Sequence, residues 1–257
     1  MKKYINILTI VTVIAIIVGS VIHLASCSQN GGIGHFTYEF SSDSGDSKKT
    51  KFGEVYDKDF SNIEISMALV EIDVKEGTVF SVDYEGKDKY KPIVKTDSNT
   101  LVITNSDREF AISSIGSQNK NKLSVTIPKG KEFDKAKIES VMSDVEIETI
   151  NAKDLEIEVP TGEVRINNAK GESLKAEVVK GDLTMNADFK DLDIVSTLGN
   201  VEIDLAQDVS KYNVEASSEL GNIECGELKA KGATATSQNG DLGNIKIECA
   251  MGNVKID

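Results

Sequence analysis

Gly199-Asn200-Val201-Glu202-Ile203 is one copy of a phrase whose repetition decides the fold. A small or polar residue, usually Gly, precedes Asp, Asn or Glu; then come an aliphatic residue, a variable one and a second aliphatic. Earlier copies read Ser143-Asp144-Val145-Glu146-Ile147, Gly162-Glu163-Val164-Arg165-Ile166 and Gly181-Asp182-Leu183-Thr184-Met185. Later ones read Gly221-Asn222-Ile223-Glu224-Cys225 and Gly252-Asn253-Val254-Lys255-Ile256. Copies starting at 143, 162, 181 and 199 lie 19, 19 and 18 residues apart, and the next follows after 22. Self-similarity near this period marks a solenoid, in which each repeat buries its apolar face only on its neighbours.

Between the phrases lies a second alternating segment: Leu155–Val159, Leu174–Val178, Leu192–Ser196, Tyr212–Ala216 and Ala233–Ser237. Period-two alternation puts aliphatic residues inside and Glu, Lys or Thr outside. The expectation is an all-β, parallel β-helix-like solenoid with two short strands and about 19–20 residues per coil. Asn and Asp at the corners are placed to bond from coil to coil. Residues 142–257 form the regular part; 52–141 read as strands without a clear repeat, suited to capping one end, with the tail at Asp257 leaving the other coil open. Aromatic residues make up only 5% and Trp is absent, so the core must be aliphatic.

The first residues have another character. After Lys2 and Lys3, the run Ile5–Ala25 carries no charged residue and is long enough to cross a bilayer as a helix. Residues 1–27 therefore read as a transmembrane anchor or a lipoprotein signal, since Leu24-Ala25-Ser26-Cys27 has the lipobox pattern that would lipidate Cys27. Residues 28–51, rich in Ser, Gly and Asp, read as a flexible tether, with Phe36, Tyr38 and Phe40 a candidate short strand. Both readings attach the body, 52–257, to the cell membrane on its extracytoplasmic side.

The N-terminal segment, the spacer, Asn62-Ile63-Glu64-Ile65 with Val70-Glu71-Ile72, and the recurring Gly-Asn/Asp-Val-x-Ile phrases together resemble the bacterial "putative adhesin" domain of unknown function. That family includes an accessory protein of the Lia cell-envelope stress system. The resemblance covers about residues 52–257 and implies the solenoid fold; it brings no catalytic residues.

Chemistry is sparse in the sequence. The net charge of −13 argues against nucleic acid, whose phosphates need Lys and Arg. His23 and His35 precede the folded body, which leaves it without a His-based triad or zinc site. No calcium-loop motif occurs, and no cofactor is expected. Cys225 and Cys249 have inward parity, giving either two buried core residues or a disulfide stapling the last coils. Glu146, Glu148, Glu156, Glu158 and Glu177 point outward as a candidate acidic binding face. The expected function is non-enzymatic: an adhesin-like binding or envelope-stress accessory role toward an envelope protein, a glycan or a cationic peptide. The alternatives are a carbohydrate-active enzyme on a β-helix scaffold, which requires a cleft holding paired carboxylates, and a passive spacer.

Overall fold

The computed structural model describes residues 49–105, 121–238 and 240–257. The anchor or signal segment, Cys27, most of the tether and the loop before Asn121 lie outside them.

Each copy of the phrase becomes a short strand of one sheet, and each intervening segment a strand of another. The first sheet contains β2 (Asn62–Ala68), β6 (Thr100–Thr104), β8 (Glu132–Val141), β10 (Ile150–Thr161), β12 (Ser173–Lys180), β14 (Asp191–Leu198), β16 (Tyr212–Leu220) and β20 (Gly243–Met251). The second contains β3 (Glu71–Gly77), β7 (Lys122–Pro128), β9 (Val145–Ile147), β11 (Val164–Lys170), β13 (Leu183–Asp188), β15 (Val201–Leu205), β17 (Asn222–Cys225) and β21 (Val254–Ile256). Within each set the pairing is parallel and in register, so Ile157 lies beside Ala176 and Ile166 beside Met185. The inward residues Leu155, Ile157, Val164 and Ile166 are all 2% exposed or less, which gives the thin aliphatic core the composition requires. Three aromatics of the front coils pack together: Phe60 meets Phe80 edge-on at 5.3 Å and Phe80 meets Phe133 at 6.2 Å.

The regular stacking extends beyond its expected limits. β2, β3, β6, β7, β8 and β9 pair as the same two-strand coils as the rest, so the front of the described chain is also solenoid. The 19-to-18 change in spacing is absorbed by a bulge: β11 and β13 pair Ile166 with Met185 and then Ala169 with Ala187, so β11 holds one extra residue.

Stacking order departs from chain order at both ends. β2 lies between β6 and β8, and β3 between β7 and β9, so the first coil is second in the stack. At the other end β20 lies between β14 and β16, and β21 between β15 and β17. The last coil is thus inserted between two earlier ones, and the tail at Asp257 leaves no open coil. Asp257 donates its N–H to Ile203 O at 3.0 Å and accepts from Leu205 N at 2.9 Å.

Antiparallel strands cover the ends. The first sheet ends in β5 (Ile93–Asp97) on β6 and in β19 (Thr234–Ser237) on β16. The second ends in β4 (Phe80–Lys87) and β1 (Lys49–Tyr56) beyond β7, and in β18 (Leu228–Lys231) on β17. Ala233–Ser237, read from sequence as a coil strand, is one of these covers; the coil strand follows at Gly243–Met251. Lys95, Lys229 and Lys231 on the outermost strands discourage further edge pairing.

Charge explains the inserted coil. Along one outward row of the first sheet, in stacking order, stand Glu64, Lys137, Glu156, Lys175, Asp193, Lys246 and Glu215. The signs alternate throughout. On the second sheet Glu202, Lys255, Glu224 and Lys229 also alternate, with Lys255 Nζ 3.2 Å from Glu202. Chain order would set Asp193 beside Glu215 and Glu202 beside Glu224, and like charges directly opposite destabilise a sheet. Inserting the Lys-bearing coil removes both clashes.

The corners lock the coils together. Asp144, Asp182, Asn200 and Asn253 each accept, through a side-chain oxygen, the backbone N–H of the corner residue one coil along, at 2.7–3.0 Å. The coil-to-coil bonding expected of Asn and Asp is therefore present. Inward serines satisfy corner carbonyls, as with Ser140 on Ser143 O and Ser218 on Gly252 O, both at 2.9 Å.

Candidate functional site

The five glutamates of the expected acidic face do not share one. Glu156, Glu158 and Glu177 project from the first sheet, whereas Glu146 lies on the second, in register with Asp73 and Arg165. Glu148 follows β9 and accepts the N–H of Glu76 at 3.3 Å. Strands on either side of a coil point their outward residues in opposite directions, so alternation along the sequence cannot say which glutamates face the same way.

The first-sheet glutamates form a tighter group than the sequence indicated, because Glu139 joins them. Glu139, Glu158 and Glu177 stand side by side on adjacent strands. Lys137, in the neighbouring row, reaches Glu139 at 2.8 Å, Glu156 at 3.3 Å and Glu158 at 3.5 Å, while Lys135 reaches Glu156 at 3.2 Å. No ion pair is formed by Glu177 among the described residues. The row breaks the alternation kept by its neighbour, and Glu139 and Lys137 carried no sequence motif that would have singled them out.

Proton affinities follow. Burial raises the Glu158 carboxyl most; Lys137 opposes this, while hydrogen bonding to Glu156 and the charges of Glu139 and Glu156 add to it, leaving the group at about 7. Burial also pulls Glu156 upward, but its bond with Glu158, together with Lys135 and Lys137, outweighs this and holds it at about 2. Because the folded chain keeps a proton on Glu158 that the unfolded chain releases from 4.5 upward, this group's contribution to stability is present at low pH and is lost as pH rises toward about 7. Glu156 acts oppositely, stabilising above 4.5 and losing that contribution as pH falls toward about 2. Carboxyl NMR should place the Glu158 midpoint near 7, and Lys137→Met should move it higher. A midpoint at the ordinary 4.5 in the unaltered protein would contradict the clustered arrangement.

On the second sheet Asp73 is only 3% exposed. Burial resists its ionisation, but Lys75 at 2.8 Å and Lys122 at 2.9 Å outweigh it and hold the carboxyl below its usual range. Two lysines on one carboxylate account for its charge internally, so Asp73 is a structural ion pair. Cys225 and Cys249 are buried and free. Cys225 ends β17 in the second sheet and Cys249 lies in β20 of the first, so the proposed staple is absent. Both are the buried core residues of the first reading: the phrase at 242–245 opens a first-sheet strand and the one at 220–223 a second-sheet strand. Burial raises both thiols, Cys225 to about 11, which keeps them protonated and unreactive at neutral pH.

A groove of about 440 Å³ runs along the corner where the second sheet turns back toward the first. It spans successive coils and is bordered by Asn151, Asn168, Asn186 and Asp204. Among the described residues, no group of three or more His, Cys, Asp or Glu is placed to hold a metal ion.

Two sheets of stacked parallel strands, capped by antiparallel ones, define a β-solenoid. The chain belongs to the Toastrack DUF4097 family, which it matches over residues 60–140 and 132–257. Its fold is similar to that of a "putative cell adhesion protein" from Clostridium sporogenes, with 11% identity, a TM-score of 0.55, and coverage of 81% of this chain and 99% of that one. A "putative adhesin" from Parabacteroides distasonis aligns at 12% identity with a TM-score of 0.41, covering 86% of this chain and 100% of that one. No curated protein matches the sequence.

Proposed function

We propose that this protein is a non-enzymatic binding module, held outside the cytoplasmic membrane by residues 1–27, that engages a cationic partner through Glu139, Glu158 and Glu177. The observation that carries this reading is the placement of three acidic side chains on adjacent strands, Glu177 without an ion pair among the described residues, beside a row whose signs alternate throughout. Adjacent like charges cost stability, and a cationic ligand across the row would relieve them. The name of the Clostridium sporogenes protein supports an adhesion-like use of the scaffold. An accessory role in envelope stress fits the same geometry, because cationic antimicrobial peptides meet the envelope on the side where the body would lie. The glutamates stand on an open sheet face and not in a cleft, which favours binding over glycoside hydrolysis.

The test is titration of the full chain with an amphipathic lysine-rich peptide at physiological salt. E139Q/E158Q/E177Q should weaken binding at least about tenfold, or about 1.4 kcal/mol, with no loss of thermal stability. Unchanged affinity would remove the glutamate row from the account, and no binding by the unaltered protein would favour the passive spacer.

A further inference from the structure

The two corners of each coil carry similar residues but treat them differently. At the Gly corner the side-chain oxygens of Asp144, Asp182, Asn200 and Asn253 all accept backbone N–H groups from the next coil. At the opposite corner Asn151, Asn168, Asn186 and Asp204 make no side-chain hydrogen bond within the described residues, and they border the groove of about 440 Å³. Lys170 and Asp188, 3.8 Å apart, form its polar side, while Ala169, Ala187 and Leu205 give it a buried apolar floor. The β11 bulge falls at Asn167-Asn168, just where the groove opens.

We infer that this groove is a binding site for an uncharged glycan strand lying along the stack of coils. Amide side chains offer both a donor and an acceptor, which suits hydroxyls presenting both. Ala206, exposed beside this floor, offers a small apolar surface to the C–H face of a sugar ring. Asn168, Asn186 and Asp204 come from successive coils about 4.8 Å apart, so a linear ligand meets a repeating set of partners. The remaining charges set the class: two carboxylates against one lysine disfavour anionic polymers. An extended peptide is disfavoured as well. The strands beside the groove are already paired on both edges, which leaves no free backbone row for strand addition.

This site is independent of the glutamate row, and its test separates the two. Chito- and cello-oligosaccharides are titrated into the full chain while the side-chain amide signals of Asn151, Asn168 and Asn186 are followed by NMR. The expected result is a saturable shift of these signals, with affinity reduced at least about tenfold in N168A/N186A, or about 1.4 kcal/mol. Both asparagines are exposed, so the variant should retain the fold, as its amide spectrum would verify. E139Q/E158Q/E177Q should bind the saccharides unchanged. The inference is overturned if neither saccharide at millimolar concentration moves the groove signals. It is equally overturned if the shifts persist in N168A/N186A, or if only the lysine-rich peptide moves them.

Discussion

Deleting residues 242–257 should unfold everything from Tyr212 onward, well beyond the segment removed. In the stack, β16 and β17 pair with the body only through the inserted coil, β20 pairing with β16 and β21 with β17, and beyond that pairing the Tyr212 hydroxyl donates to Phe189 O at 3.0 Å. The deletion removes Ile245, Ile247, Cys249, Val254 and Ile256, all 3% exposed or less. At about 1.5–3 kcal/mol for each fully buried side chain, the loss matches the whole stability of an ordinary domain. It also places Asp193 opposite Glu215, and Glu202 opposite Glu224, if the outer coil tries to close the gap. The coils from β2 to β13 keep both neighbours, and β14 and β15 keep β12 and β13 on one side, so this part should persist, since solenoid repeats are held by nearest-neighbour contacts. Hydrogen exchange of the truncated chain should show fast exchange throughout 212–237 and continued protection in 145–205. Protection of Tyr212–Cys225 would show that this coil packs directly on β14 and β15.

Gly181→Ala should destabilise the protein by about 3 kcal/mol or more, in the range of severe core lesions. A Cβ at Gly181 would lie 1.9 Å from the carbonyl oxygen of Gly162, and the residue has φ +143°. Gly199 and Gly252 repeat the arrangement, each against the carbonyl of the Gly one coil away, so the backbone has no direction in which to yield. Gly130→Ala provides the control. It also has positive φ, +72°, but nothing lies within 4 Å of its Cβ position, and it should cost only about 1 kcal/mol. Urea unfolding of the two variants measures the difference. Equal losses would mean that backbone conformation alone, and not the contact between coils, makes glycine necessary.

Much of this was legible in the sequence. The phrase copies gave the second-sheet strands, the segments between them gave most first-sheet strands, and parity separated inside from outside, because a thin solenoid writes its core as strict alternation. The corner role of Asn and Asp followed from their short polar side chains. Stacking order was not legible. Every coil presents the same aliphatic pair to its neighbours, so hydrophobic pattern cannot distinguish one neighbour from another. Its only trace is electrostatic: Lys246 and Lys255 fall where the two preceding coils both carry acids, and this becomes readable only once the register is known. The acidic face failed for a related reason. Glu146 and Glu156 look equivalent in sequence, yet they sit on different sheets. The groove was missed because its asparagines resemble those of the bonded corner, and only the structure shows which ones are satisfied.

Inserted stacking of the last coil is the central structural claim, and cross-linking tests it most directly. In a background lacking native cysteines, D193C/K246C is compared with D193C/E215C under mild oxidation. Neighbouring parallel strands lie about 4.8 Å apart, within disulfide reach, whereas strands separated by a third are about 9.6 Å apart and beyond it. The inserted order predicts that D193C/K246C closes readily within one chain while D193C/E215C stays reduced. Closure of D193C/E215C with D193C/K246C left open would contradict it and return the coils to chain order.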